Sequence, residues 1–573
     1  MGTISDKLMR IINTKEDIRQ ALMSKGYDVP TSIPFKEYAK MILDLPCNAD
    51  SFPDIEGIVA RYSASGLTNE QTAANPVWVD KTGNGHDLQL KNFAWKGMSG
   101  VGGYVADIDE WGTNSTAAYF ERNSIKITAT FKENVSLGLL YHNIKLRQSC
   151  VLKVTGIPEG CDAFLDDRLG NRFYMSEDGV YEIIPSNFLA EALYFSIEKY
   201  PERWYGSKLT IEQLPLYPGA LVFDGVDDCG TCDNFPILTK EKGYTVVALR
   251  QWDQDFLNTT LTGGLLSTRN YSTGEGVVFE KIESSNKGYW NLGAGGIIDF
   301  AKSPFTWQTS KQYNNVGISK GDKNHGKPLC VGSGLSGGQQ SGRFAIWELV
   351  ILDHDATEEE LTKIKDYFVK TYPWLLPDQA WTVTGKTNED EDRATIANIT
   401  GNGNDLVLSN FGFAEGSGYN EEGEYAGYLV TDGVDDKIAS SIFEMGNDWT
   451  VIGDWELINT GKKDNAGIVK FDSIVIYNYN PILINIKNGR NNLIPDQNTV
   501  NAICSDGRIY SKDWKESIYN EETESTSKNF LTIGYSGNVH TKIAFKNLAI
   551  YPTVLSREDC IKAYNYLQTL KAK

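Results

Sequence analysis

No apolar run in this chain of 573 residues approaches the roughly 20 residues that a membrane-spanning helix needs. Membrane insertion is therefore not expected. The opening, Met1 through Lys7, lacks the apolar stretch and small-residue cleavage site of a secretory signal, so ordinary secretion is not expected either. Positive charge is in deficit: 55 Lys and Arg stand against 75 Asp and Glu, a net charge of -20. Nucleic acids and anionic membranes demand a basic footprint, and neither is expected as a main partner. Cysteine is sparse, with eight residues at 47, 150, 161, 229, 232, 330, 504 and 560. That density is too low for the disulfide framework of a small secreted domain, and buried free thiols are expected. Cys229 and Cys232 form the one close pair, but no second CxxC or His pair completes a zinc set. The histidines (86, 142, 325, 354 and 540) lie apart, without HExxH or HxH spacing, so none is a convincing base or ligand.

What is present is ordinary globular composition, 41% hydrophobic and 11% aromatic, and an internal repeat. Residues 83–93 match 401–411 at 8 of 11 positions, an offset of 318. Upstream, Gly66, Thr68, Asn69 and Glu70 recur as Gly385, Thr387, Asn388 and Glu389. Downstream, residues 224–228 recur as 432–436, now at an offset of 208, and 344–368 resemble 545–567. The fall from 318 to 208 means that the first copy holds about 110 extra residues, the size of a whole domain.

Short runs rich in Val, Ile, Leu, Phe and Tyr predict strands in that insertion over 124–131, 135–141, 149–154, 179–185, 193–198 and 208–213. Strands at this spacing argue a small antiparallel sandwich. Each repeat reads as a β-sandwich closed by one helix. Thr357 and Glu360 make a capping box ahead of an apolar stripe at Leu361, Ile364, Tyr367 and Phe368, and Ser556 starts the equivalent helix. The first 46 residues differ in kind, with two short helices predicted over 15–25 and from Pro34 to Pro46. The expected organisation is a helical module over 1–46, a first sandwich over 54–107 plus 219–372, an inserted sandwich over 108–218, and a second sandwich over 375–573.

The repeat unit, with Asn84-Gly85 and Asp87-Leu88 followed by Phe223-Asp224-Gly225 and a strand into a capped helix, resembles the concanavalin A-like lectin/glucanase superfamily in its laminin-G-like branch. The resemblance implies a mainly β fold of two jelly-roll sandwiches whose concave faces and rim loops often hold glycans. The N-terminal helices, in residues 13–23 and 34–38, are similar to short modules of tailed-phage virion proteins, notably of crAss-like phages. That likeness implies a head- or tail-associated fibre or appendage on the virion surface. Its module would contact other virion proteins, the chain would form a dimer or trimer, and host or mucus glycans would be its ligands. Two alternatives stand beside it: a polysaccharide depolymerase and a bacterial surface glycan-binding protein.

Enzymes of the superfamily carry Glu-x-Asp on one strand, where residues two apart share a face and serve as nucleophile and acid/base. No Glu here has Asp two positions later, so that mechanism is absent and no catalytic residue is assigned; carboxylate pairs assembled by folding stay open. Gly334, Ser336 and Gly338 match a nucleophile elbow on paper, but a strand rather than a helix follows, and a hairpin is expected. Calcium is the one cofactor the resemblance implies, through hard oxygens of Asp224, Asp227 and Asp228 or of Asp432, Asp435 and Asp436. The competing reading is that these acids shape turns. Sugar recognition needs aromatic platforms beside polar groups, and the candidates are Trp95, Trp111, Tyr271, Trp290, Tyr477 and Tyr479, each of which also suits a core position.

Overall fold

The computed structural model describes residues 52–572 apart from short stretches, the longest of them 269–277, 311–328 and 519–530. The helices expected over 1–46 lie outside the described residues. The protein is mainly β, as expected.

Each repeat is a pair of packed, mainly antiparallel sheets. In the first, the back sheet runs in the order Phe305–Thr309, Thr245–Trp252, Arg343–Leu352, Leu221–Asp224 and Gly100–Val101, and Ile58–Ser63 also pairs with Arg343–Leu352. The front sheet contains Val77–Trp78, Leu88–Lys91, Cys229–Cys232, Leu329–Val331 and Gly263–Ser267 as neighbours in that order. The second repeat reproduces both. Its back sheet is centred on Thr450–Leu457 and Ile543–Tyr551, and its front sheet includes Leu406–Ser409, Lys437–Ala439, Thr532–Ile533 and Gly467–Phe471. Even the irregularities recur, with a bulge after Leu249 in one copy and after Asp454 in the other.

The two back sheets are buried on both faces. Along Arg343–Leu352, Phe344, Ile346, Leu349 and Ile351 point into the first sandwich, whereas Ala345, Trp347, Val350 and Leu352 point away from it. In the second copy Leu548 and Ile550 point inward, and Ala549 and Tyr551 point away. The residues that point away join one further core shared by both repeats, together with Leu361, Ile364 and Phe368 of the helix Glu358–Thr371 and Cys560, Ala563 and Leu567 of the helix Arg557–Gln568. Tyr566 lies at its centre: its ring meets Trp347 at 6.3 Å and Trp374 at 6.2 Å, and its hydroxyl donates to Gln251 Oε1 at 3.1 Å. The repeats are thus joined back to back through apolar contact, with the helices sandwiched between them. Both helices start as the sequence predicts, through the Thr357–Glu360 capping box and the Ser556 hydroxyl.

The inserted stretch has its own core, drawn from residues between Ala106 and Ile211. It comprises two five-stranded sheets. One runs Arg172–Met175, Asp162–Asp166, Leu193–Glu198, Gly138–Ile144, Gly112–Thr113; the other runs Gly179–Ile183, Cys150–Thr155, Lys208–Gln213, Lys126–Phe131, Ala118–Arg122. Ala163 and Leu165, Ile127 and Ala129, and Phe195 and Ile197 face the interior at the two-residue period of strands. Of the strand expected over 135–141, residues 135–137 lie outside the described residues; the described strand, Gly138–Ile144, continues three residues further, with an irregular register against Leu193–Glu198 that places Ile144 in the core. Four strands were not foreseen: Gly112–Thr113, Ala118–Arg122, Asp162–Asp166 and Arg172–Met175.

Chain enters and leaves the insertion side by side, with the Gly102 amide donating to Ala220 O and the Leu216 amide to Gly103 O, both at 2.9 Å. Gly102 sits at φ +91° where a Cβ would meet Pro215 Cβ at 2.9 Å, so only glycine fits this crossing. The second sheet of the insertion turns toward the joined repeats. Val180 packs on their shared core, and Lys153 sits close enough to Glu558 to help hold that carboxyl below its usual range, behind the larger effect of Lys562.

Candidate functional site

The repeated acidic loops are built identically in both copies. After the strand Leu221–Asp224 the chain turns at Gly225, φ +78°, where a Cβ would meet Arg343 Cβ at 2.8 Å. Asp224 Oδ1 accepts from the Val226 amide at 2.7 Å, and Asp228 Oδ2 accepts from the Asp224 amide at 3.0 Å. The Ser99 hydroxyl donates to Asp228 Oδ1 at 3.0 Å and itself accepts from the Ala94 amide at 2.7 Å. Asn92 Nδ2 donates to Asp227 O at 3.0 Å. In the second copy Asp432, Val434, Asp436, Ser417, Gly412, Asn410 and Asp435 repeat every one of these bonds. The motif therefore staples one hairpin to the loop before it, from the front sheet to the back.

Each loop brings three carboxylates together, with ligand-type oxygens of Asp224, Asp227 and Asp228, or of Asp432, Asp435 and Asp436, within 4.8 Å of one another. Burial first, and the neighbouring Asp224 charge second, push the Asp228 carboxyl up to about 8. Burial likewise pushes Asp436 up to about 6. Calcium wants six to eight oxygen ligands, but both oxygens of Asp228 and of Asp436 already accept bonds that close the turn. Asp227 and Asp435 are exposed. The donor set fits turn closure better than a resident calcium ion.

The first repeated motif is likewise a fastening. Asp87 Oδ1 accepts from the Asp80 amide at 2.8 Å, and Asp405 Oδ1 accepts from the Asn398 amide at 2.8 Å. Asn84 Nδ2 donates to Val59 O, and Asn402 Nδ2 to Asp378 O, which ties each loop to its neighbouring strand or linker.

Among the described residues the aromatic candidates lie on separate sheets and domains. Trp95 is half-buried, stacked on Phe93 at 4.9 Å, and packs against the first core. Trp111 is corrected outright: it is 2% exposed in the core of the insertion, near Tyr141, so neither ring face reaches a ligand. Trp290 ends the strand Lys287–Trp290 and Tyr477 ends Ile474–Tyr477, on the front sheets of different repeats. Tyr271 and Tyr479 lie outside the described residues. Sequence reading passed over Phe164, Arg172, Tyr174 and Tyr194, because two of the three strands that carry them were not foreseen. The alternation of Asp162, Phe164 and Asp166 with Ala163 and Leu165 was the available signal.

Seven cysteines are described, all buried and unbridged. Cys229 and Cys232 are three apart on one strand and face opposite ways. Cys232 packs in the sandwich core, whereas Cys229 meets Cys330, whose hydrogen bond holds the Cys229 thiol below its usual range. Ser333–Leu335 and Gln339–Ser341 pair as an antiparallel hairpin, and Ser336 itself lies outside the described residues. His354 Nε2 contacts Glu360 at 3.1 Å beside the helix start, and His540 stacks on Tyr535. Among the described residues no helix is long and apolar enough to cross a membrane.

No protein-family model matches the chain, and no curated protein matches it. Among solved structures it is similar to the Trypanosoma rangeli sialidase in complex with sialic acid, at 8% identity over 80% of this chain and 84% of that one, with a TM-score of 0.26. It is also similar to a botulinum neurotoxin serotype D binding domain, at 11% identity over 60% of this chain and 89% of that one, with a TM-score of 0.23. Likeness of that depth carries no argument about what this chain does.

Proposed function

We propose that this chain is an adhesive appendage protein of a tailed-phage virion, attached through its N-terminal segment and displaying lectin-like sandwiches that bind host or mucus glycans. The observation that carries the reading is the shared core. It buries the back sheets of both repeats against one another and turns both front sheets outward. On those sheets Gln89 and Lys91, and Val407 and Ser409, are exposed in alternation with buried leucines. An apolar joint of this kind suits rigid display better than independent tethered modules, whose interfaces are smaller and more polar. The virion part rests on the sequence resemblance of residues 13–23 and 34–38 and on domain order. Oligomerisation as a dimer or trimer belongs to the same proposal.

The test is adhesion of the fluorescently labelled full-length chain to host cells before and after mild periodate, which cleaves vicinal diols of surface sugars. Binding is expected to fall to background after treatment. Periodate-resistant binding, or none to untreated cells, contradicts the glycan reading, and release of reducing sugar ends during incubation would point to a depolymerase instead.

A further inference from the structure

The insertion carries an unexplained surface. One of its sheets packs toward the joined repeats through Val180, so the other sheet faces away from them. On that outer face the register places Tyr174 opposite Phe164 and Arg172 opposite Asp166. On the far side Phe164 lies opposite Ser196 and Asp166 opposite Tyr194. Phe164 forms the floor, with the Tyr174 ring at 5.4 Å and the Arg172 guanidinium at 4.7 Å from its centre. Arg168 lies 4.3 Å from the Tyr194 ring. Tyr174 packs on Phe164 and its hydroxyl accepts from Arg172 Nη1 at 3.3 Å, yet it keeps 46% of its surface exposed.

We propose that this face is a saccharide-binding site that takes neutral, hydroxyl-rich glycan chains; the proposal rests on the glycan-adhesion reading above and gives the insertion its role. Two observations point to the ligand. Asp166 is 7% exposed, yet its Oδ1 has no hydrogen-bond partner, and its Oδ2 stands 3.8 Å from Arg172 Nε, too far for a hydrogen bond. A buried carboxylate oxygen without a donor is a cost that a ligand hydroxyl relieves.

The second observation is charge. Asp162, Asp166 and Glu198 are matched by Lys199, Arg172 and Arg168, with Lys199 paired to Asp162 and Arg172 at 3.7 Å from Glu198. The face is balanced on a chain whose net charge is -20, so it offers neither an anion nor a cation a net attraction. It offers alternating donors and acceptors beside aromatic rings. A neutral sugar meets all of these at once: its C–H face lies on Tyr174 or Tyr194, and its hydroxyls lie between carboxylate and guanidinium.

The experiment puts the full-length chain on a glycan array as wild type, Tyr174→Ala and Asp166→Asn, with melting curves to confirm that each variant is folded. The wild type is expected to bind neutral glycans, and Tyr174→Ala to weaken the best of them about tenfold or more, as loss of an exposed tyrosine anchor does. Asp166→Asn removes the acceptor charge in an isosteric side chain and is expected to weaken the same glycans. Wild-type binding left within about twofold by both variants overturns this site and leaves the adhesion reading standing. A wild type that selects acidic glycans overturns the neutral assignment, and one that binds nothing overturns both readings.

Discussion

Trp347→Ala unfolds the second repeat more readily as well as the first. Trp347 belongs to the first repeat, is fully buried, donates its indole N–H to Pro218 O at 2.8 Å and meets Tyr566 of the second repeat at 6.3 Å. Truncating a buried tryptophan costs about 3–5 kcal/mol, through lost transfer energy and the cavity left behind. The orphaned Pro218 carbonyl adds about 1 kcal/mol or more. Were the repeats independent domains, that loss would stay within the first. Because the cavity opens in the core that both share, amide exchange in Thr450–Leu457 is expected to accelerate along with that in Thr245–Trp252. Tyr566→Phe, which loses only the bond to Gln251, sets the lower end at about 1 kcal/mol. Unchanged exchange in Thr450–Leu457 in the Trp347→Ala protein would show that the repeats are not energetically joined.

Asp228→Asn stabilises the protein in alkaline solution and does nothing in acid. The folded carboxyl is pushed up to about 8 by burial and by Asp224, against about 3.9 in an unfolded chain. The folded state therefore holds its proton more tightly than the unfolded one. Stability from that proton is complete below about pH 4, falls as the pH rises, and is gone above about pH 8. The ionised carboxylate accepts from the Ser99 hydroxyl and from the Asp224 amide. On protonation the Ser99 bond reverses, with Asp228 donating to Ser99 Oγ while still accepting from Asp224, and asparagine reproduces that protonated pattern with its Nδ2 and Oδ1. The variant should thus match wild type at pH 4 and exceed it above pH 8 by on the order of 2 kcal/mol, read from denaturant midpoints. Asp436→Asn should show the same sign with its step complete near pH 6. Calcium would reverse the outcome: if an ion neutralised these acids, Asp228→Asn would destabilise in its presence and abolish its effect on melting.

The duplication, the two sandwiches and both helix starts were legible, because turn chemistry and capping are local: the turn at 224–228 recurs unchanged at 432–436, and each helix opens on a hydroxyl residue, Thr357 or Ser556. What the repeated letters meant was not. Asp228 and Asp436 look alike as ligands and as staples until Ser99 and Ser417, distant in sequence, are seen to bind them. The shared core left one readable trace. The run Phe344, Ala345, Ile346, Trp347 and then Leu349 through Leu352 is apolar without alternation, which marks a strand buried on both faces. Trp111 was misread because an aromatic residue beside Asp and Glu looks the same at a surface as above a core, and the strand pairing that encloses it spans residues 112 to 142. The outer face of the insertion was missed for a related reason, since Tyr174, Phe164 and Tyr194 meet only through register.

The most direct measurement of the central claim is electron microscopy of source particles labelled with antibodies against residues 1–46 and against residues 375–573. Label is expected on regular projections, with the first antibody nearer the particle and the second farther out. Particles that bind neither antibody, with the protein found instead in solution or on cells, would contradict it.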